Sequence, residues 1–279
     1  MLPSAEPPLS PAAYGFLADL VYDRSRIRLG PDKQALVAGR LGRRIQTLGC
    51  ASFEDYCRLL QGPGGEDEIG DLIDLISTNH TQFFREPAHF EILTQRSLPT
   101  LAAKAIAAGR EVRVWSAAAA SGEEPYSLGI ALAEFARSRP GFTWLVHASD
   151  ISRRMLDRCR LGIYESDKVV LPAEDLLARY FQRGHGEREG FYRVKSDLRR
   201  LVAVEHVNLF QQSYPVPRDL DVIFCRNVMI YFDVESRREL VERLYEQLAP
   251  GGHGAQSEAD EAPLVIFWYH CAGSDTVTL

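Results

Sequence analysis

Residues 111–137 read EVRVWSAAAASGEEPYSLGIALAEFAR, and this stretch decides the fold class. Glu111 to Trp115 is a short run rich in valine and aromatic side chains, a strand by composition. Small residues follow from Ser116 to Gly122, and from Glu123 to Arg137 the pattern is helical. The same order recurs downstream. Thr143 to Ala148 (TWLVHA) predicts a second strand, and Ser152 is placed to cap a helix through Arg160. Val202 to Val207 and Asp221 to Cys225 (DVIFC) predict two more strands, and a helix follows Asp233 as far as Pro250-Gly251-Gly252. Strands alternating with helices imply βαβ units, hence an α/β fold with a doubly wound, mostly parallel sheet. Between about 162 and 200 the alternation lapses. Phe191 to Val194, beside a glycine-rich loop, predicts a small antiparallel β insertion there.

Toward the N-terminus the character changes. From Ala13 to about Arg85 only helical patterning is present. Leu36, Val37, Leu41, Ile45 and Leu48 cluster on one side at 100° per residue, and Ile69, Leu72, Ile73 and Ile76 repeat at i, i+3, i+4, i+7. Gln61-Gly62-Pro63-Gly64-Gly65 interrupts the chain between these helices. The expected organisation is a loose proline-rich arm over 1–12, a helical domain over 13–88 and an α/β domain over 89–279.

Composition narrows the classes. A chain of 279 residues has room for two modest domains, and 46% hydrophobic with 25% charged residues is ordinary globular composition. The net charge is −6, so no general field for polyanions is expected and any basic site must be local. No apolar run approaches the ~20 residues needed to span a bilayer, and no secretory leader is expected from MLPSAEPPLSP. The five cysteines form no C-x-x-C and no zinc-ligand spacing. Reduced thiols in a cytoplasmic setting, without a metal, are the expectation.

In open α/β sheets ligands sit beyond the carboxyl ends of the strands, near the switch point. Three such ends carry distinctive residues. After the first strand, the small-residue run lets a ligand approach the backbone, and Glu123-Glu124 opens the helix. After the second comes Asp150, suited to accept hydrogen bonds from two ribose hydroxyls. After the strand at 221–225 comes Cys225-Arg226-Asn227-Val228-Met229-Ile230-Tyr231-Phe232. The first loop is not G-x-G-x-x-G, which argues against a pyrophosphate cradle. An acid at 124 favours a cationic, phosphate-free nucleoside such as S-adenosylmethionine (SAM). The plainer account makes the alanine run a strand-to-helix turn and Asp150 a helix cap.

Four segments, Asn79-His80-Thr81-Gln82-Phe83-Phe84-Arg85, VWSAAAASGEEPYSL (114–128), ASDIS (148–152) and IFCRNVMIYFD (223–233), closely resemble the bacterial chemotaxis receptor glutamate O-methyltransferases, the CheR family, in order and spacing. The resemblance runs from about residue 14 to Gly252. It implies a SAM-methyltransferase-like sheet behind an all-helical domain. The implied activity is transfer of a methyl group to glutamate side chains of receptors, giving methyl esters and S-adenosylhomocysteine. It also implies that Asn79, Thr81 and Arg85 reach the cofactor, that Glu124 binds its methionine end and Asp150 its ribose, that Asn208 and Leu209 flank the adenine, and that Cys225 and Arg226 line the cleft. Arg85 and Tyr231 are assigned to the substrate carboxylate. Phe83 and Phe84 are expected to be core.

The resemblance further implies partners: cytoplasmic helices of chemotaxis receptors, with recruitment to membrane receptor arrays. Between Val21 and Gln46 seven basic residues stand against two acidic ones, and Lys33, Arg40 and Arg44 share a helical stripe, with Arg43 beside it. This is the expected docking surface. Gly184, Gly186 and Gly190 form a permissive loop, implied by similarity to dock a receptor C-terminal peptide at a strand edge. The tail 253–279 (HGAQSEADEAPLVIFWYHCAGSDTVTL) departs from the family pattern, with a single strand expected at Leu264–His270. Two other classes weigh against the main reading: a SAM-binding receptor-binding protein of weak activity, suggested by that tail, and a nucleotide-dependent oxidoreductase, disfavoured by the missing glycine triplet.

Overall fold

In the computed structural model the described residues are 8–248 and, for the backbone, 264–268. They fall into two compact units. One comprises the chain up to Thr78 together with Tyr231–Arg237, and the other Asn79–Ile230 with the chain from Arg238 onward. The division lies earlier than the 88/89 boundary expected from sequence. Phe83 and Phe84 are the reason, because their rings pack within the second unit.

The first unit is helical: α1 (Pro11–Ser25), α2 (Gln34–Thr47), α3 (Phe53–Gln61) and α4 (Gly65–Ile76). Pro11 occupies the first turn of α1 and the Ser10 hydroxyl accepts from the Ala13 amide, so residues 11 and 12 belong to the helix, with Ser10 as its cap, and not to a loose arm. Ser52 and Asp55 form a reciprocal capping box at the start of α3. Gly65 must be glycine, since a Cβ there would lie 2.2 Å from the Leu60 carbonyl oxygen. Ile69, Leu72, Ile73 and Ile76 are all buried on α4, as their spacing predicts. On α2, Val37, Leu41 and Ile45 are buried, but Leu36 is exposed: it lies off the centre of the apolar stripe. Tyr231 belongs to this unit; its carbonyl accepts from the Arg28 amide at 2.9 Å.

The second unit is built on a five-stranded sheet: β1 (Val112–Ser116), β2 (Trp144–Asp150), β6 (Val202–His206), β7 (Val222–Arg226) and β8 (Leu264–Trp268). Their spatial order is β6-β2-β1-β7-β8, and every neighbouring pair is parallel. Strands β1 and β2 propagate one way and β7 and β8 the other, so the topological switch lies between β1 and β7. Helices α5 (Pro87–Ile92) and α6 (Leu98–Ala107) are joined through a π turn at Leu93–Ser97; α7 (Glu123–Ala136), α8 (Arg153–Leu161) and α11 (Val234–Tyr245) follow their strands. The expected insertion is a three-stranded antiparallel sheet of β3 (Ile163–Glu165), β4 (Phe181–Arg183) and β5 (Phe191–Val194), order β3-β5-β4, accompanied by α9 (Glu174–Tyr180) and α10 (Ser196–Arg199). Val112, Val114, Val146 and Phe224 from the strands, with Leu128, Leu132, Phe90 and Leu93 from the helices, form its core. Phe83 packs edge-on against Tyr164 and Phe181, and Phe84 against Phe90, in line with the packing role expected for both. Of the tail 253–279, residues 253–263 and 269–279 lie outside the described residues, as do residues 1–7 of the arm. No described helix is long and apolar enough to cross a membrane.

Candidate active site

Because the sheet is parallel, Ser116, Asp150, His206 and Arg226 end their strands on one edge. The turn leaving β1 keeps its small side chains for a steric reason. Ala120 and Gly122 have φ of 45° and 103°, and a Cβ on Gly122 would lie 2.7 Å from Cys159 Sγ and 2.8 Å from the Tyr164 hydroxyl. Only glycine lets this turn lie against α8 and β3. The turn also presents backbone donors. The Ala120 amide donates to Asp150 Oδ2 at 2.8 Å, and the Ser152 amide to Oδ1 at 2.9 Å. The Ser152 hydroxyl caps α8 by accepting from Met155, so the capping role falls to Ser152 while two amides orient Asp150. Asp150 is buried. Two backbone donors thus hold its carboxylate in a fixed orientation.

Glu124, in the first turn of α7 and also buried, is fixed from two sides. The Ser116 hydroxyl donates to Oε1 at 2.7 Å and Arg226 Nε to Oε2 at 2.8 Å. Arg226 is the hub of the site. Its side chain is 1% exposed, and its guanidinium lies 5.3 Å from the ring centres of Phe90 and Phe224. It also donates to the Arg85 carbonyl and to His89 Nδ1, each at 2.9 Å, and approaches Glu86 Oε2 at 3.3 Å. Accepting at Nδ1 requires a ring without a proton there. Burial and the neighbouring Arg226 charge both hold the His89 pKa below its ordinary value. Asn227, with φ of 56°, donates to Glu86 Oε1 at 3.3 Å.

The structure therefore gathers Arg85, Glu124 and Arg226 around one buried guanidinium and places Asp150 on the same sheet edge. Arg85 itself donates to the His80 carbonyl at 3.2 Å, and its Nε lies 3.8 Å from Glu86. Asn79 and Thr81 are partly buried on the segment preceding α5. In the loop after β6, Asn208 Oδ1 accepts from the Phe210 amide, and Leu209 is buried. Cys225 is fully enclosed on β7, and burial, with a smaller contribution from the nearby Glu124 charge, pushes its thiol pKa up. Glu86 and His89 are not among the residues the sequence singles out, though they directly follow the Asn79–Arg85 motif; Ser116 and Asn227 lie in the strand-end segments it does single out, without a role of their own there.

The basic residues of the first unit are largely engaged internally. Arg44 forks onto Glu68 (2.5 Å) and also binds Asp71, Arg40 donates to the Ile76 and Ser77 carbonyls, and Lys33 pairs with Asp32 at 2.7 Å. Arg43 is exposed. Gly186 and Gly190 have φ of 61° and 85°, and a Cβ on Gly184 would lie 2.0 Å from the Arg188 carbonyl oxygen, so the β4–β5 loop itself needs all three glycines. Among the described residues no group of three or more His, Cys, Asp or Glu is arranged to hold a metal ion.

Residues 12–77 match the all-alpha domain of the CheR methyltransferases and residues 79–255 their SAM-binding domain. The chain is 41% identical over 244 residues to the chemotaxis protein methyltransferase of Escherichia coli K12, covering 88% of this chain and 82% of the relative. It is 39% identical over 232 residues to chemotaxis protein methyltransferase 2 of Pseudomonas aeruginosa (83% and 80% covered) and 36% identical over 234 residues to the chemotaxis protein methyltransferase of Borreliella burgdorferi (83% and 82%). With both domain matches lying on the two units just described, the chain belongs to the CheR methyltransferase family.

Proposed function

We propose that this protein methylates glutamate side chains of chemotaxis receptors, using SAM and releasing S-adenosylhomocysteine. The observation that carries the reading is the buried Arg226 hub, which ties Glu124 and the Arg85 backbone together at the switch point between β1 and β7. Two buried, oriented acids, Asp150 at the end of β2 and Glu124 in the first turn of α7, suit a ligand rich in donors and carrying positive charge, and suit a phosphate poorly. Glu124 is assigned the amino-acid end of SAM and Asp150 its ribose, with Asn79, Thr81, Asn208 and Leu209 completing the site. When bound, SAM supplies a methyl group activated by its sulfonium.

The remaining chemistry is modest. A glutamate with a pKa of ~4.3 is already a carboxylate at neutral pH, so no residue needs to remove a proton. What the chain must contribute is orientation, which supplies up to ~7–11 kcal/mol when reacting atoms are held at near-attack distance. Arg85 is assigned to hold one oxygen of the substrate carboxylate by a charge-assisted bond, and Tyr231 to present its hydroxyl to the same group. Too tight a hold on the ground state would slow the attack, because the carboxylate loses its charge in the process. Positioning is therefore the role that fits Arg85.

Docking to receptor helices is assigned to the α2 face, with Arg43 carrying its free charge and Lys33, Arg40 and Arg44 contributing beside their internal pairs. A receptor C-terminal peptide is assigned to an outer strand of the β3-β5-β4 sheet, a tether that raises local concentration and recruits the enzyme to receptor arrays. The test is base-labile transfer of label from methyl-tritiated SAM to a receptor cytoplasmic fragment, run at low and high salt. Label appearing on glutamate, with association weakened by salt, is the expected result. No base-labile label on any receptor fragment would exclude the activity, and salt-independent association would exclude the α2 face.

A further inference from the structure

A cavity of about 370 Å³ that shares no lining residue with the Arg226 hub is formed by Tyr126, Arg160, Ser196, Arg199, Arg200, Val202 and Val204. Its size falls within the ~300–1,000 Å³ typical of small-ligand sites. No carboxylate lines it. The surrounding sequence is basic against the trend of the chain: residues 153–160 hold four arginines and one aspartate, and residues 193–200 hold three arginines and a lysine with one aspartate, in a protein of net charge −6.

The three guanidiniums differ in their commitments. Arg160 pairs with Asp157 at 3.0 Å and donates to the Val204 carbonyl, covering the outer strand β6. Arg200 pairs with Asp197 at 2.9 Å. Both acids are highly exposed, at 72% and 84%, and such pairs hold their cations only weakly. Arg199 differs. Its Nε is buried and has no hydrogen-bond partner, a costly condition for a charged donor. Its stem is seated over Gly162, where φ is 59° and a Cβ would lie 3.1 Å from Arg199 Cδ and 3.3 Å from the Tyr126 hydroxyl. The Arg199 stem thus lies against a backbone position where a Cβ would be tight and strained, and its buried Nε is held without an acceptor.

We propose that this cavity is a binding site for a phosphate-bearing ligand, its anionic group held by Arg160, Arg199 and Arg200, with Val202 and Val204 offering an apolar wall to any organic part. Arginine forks match phosphate oxygens in geometry and charge. The Ser196 hydroxyl, which donates only over a long 3.4 Å contact to the exposed Asp197, is a further polar group at its rim. The site is separate in residues from those assigned to SAM, so occupancy of one should not displace the other.

The probes are pyrophosphate and ADP, titrated calorimetrically into the full chain with and without saturating S-adenosylhomocysteine. The variants are Arg199→Gln with Arg200→Gln, Arg200→Gln alone, and Arg137→Gln on the remote end of α7 as control. Expected is saturable binding of at least one probe, weakened about tenfold or more in the double variant, weakened less by Arg200→Gln alone, unchanged in the control and indifferent to S-adenosylhomocysteine. Tighter binding of ADP identifies an organic phosphate as the ligand, and equal or tighter binding of pyrophosphate identifies the inorganic anion. Arg200 is exposed, so its single variant keeps the test valid if the double variant fails to fold. The proposal is overturned if neither probe binds saturably, if the Arg200→Gln chain binds as tightly as the parent, or if S-adenosylhomocysteine competes with the probe.

Discussion

Arg226→Met is the sharpest perturbation of the site. It removes the donor that Glu124 Oε2 accepts from at 2.8 Å and that the Arg85 carbonyl and His89 accept from at 2.9 Å, at a position 1% exposed. Methionine fills much of the volume between the Phe90 and Phe224 rings, so the loss is mainly electrostatic. Removing one partner of a buried ion pair costs ~3–5 kcal/mol, because the other charge is left uncompensated. At roughly 2–4 °C per kcal/mol for a unit of this size, the melting temperature should fall by roughly 6–20 °C. The uncompensated charge is that of Glu124, so Glu124→Gln in the Arg226→Met background should recover part of the loss. Urea and thermal unfolding of the four chains of this double-mutant cycle measure both numbers. A loss under ~1 kcal/mol for Arg226→Met, or strictly additive single effects, would refute the claim that Arg226 and Glu124 form one coupled buried unit.

Further outcomes follow from the same geometry. Arg85→Ala should lower methyl transfer about tenfold or more, the ~1.4 kcal/mol that one charge-assisted positioning contact readily supplies, while the melting temperature changes little; near-normal transfer of label to receptor removes the positioning role. Tyr231→Phe should lower kcat more than it lowers stability, and an unchanged kcat returns Tyr231 to the packing residues. Gly122→Ala should destabilise by ~1–3 kcal/mol, from a strained φ and overlap with Cys159 and Tyr164; an unchanged urea midpoint contradicts the close approach of this turn. His89 resists protonation when folded, whereas the unfolded chain takes up that proton near pH 6.5. The folded state then binds fewer protons, so this group leaves stability untouched above about pH 6.5 and lowers it as pH falls further. His89→Gln, which retains an acceptor for Arg226, should flatten the decline of the urea midpoint between about pH 7 and 5.5; an equally steep decline assigns it to other groups.

Much of this was legible in the residues themselves. The period-3.6 run of Ile69, Leu72, Ile73 and Ile76, the Ser152 cap, and the strands at 112–116, 144–150, 202–206 and 222–226 are local facts, set by backbone preference and by which face must leave water. The motifs that carry the family resemblance are also local, each a strand end with its following loop. Arrangement is where sequence ran out. Leu36 is grouped with the apolar stripe of α2 from sequence yet is exposed, because it lies off the centre of the face that Val37, Leu41 and Ile45 bury. Arg44 reads as a docking charge from sequence, yet it forks onto Glu68 and Asp71 of α4, an ion pair between residues far apart in the chain. The Arg226 hub likewise joins residues 85–89, 124 and 226, and only the parallel order β2-β1-β7 brings those strand ends to one edge. Periodicity and capping act over a few residues and are written along the chain. Which buried charges meet depends on the register and order of strands, a property of the packed sheet, and that is why the elements were determined by sequence while the site's wiring was decided by tertiary structure.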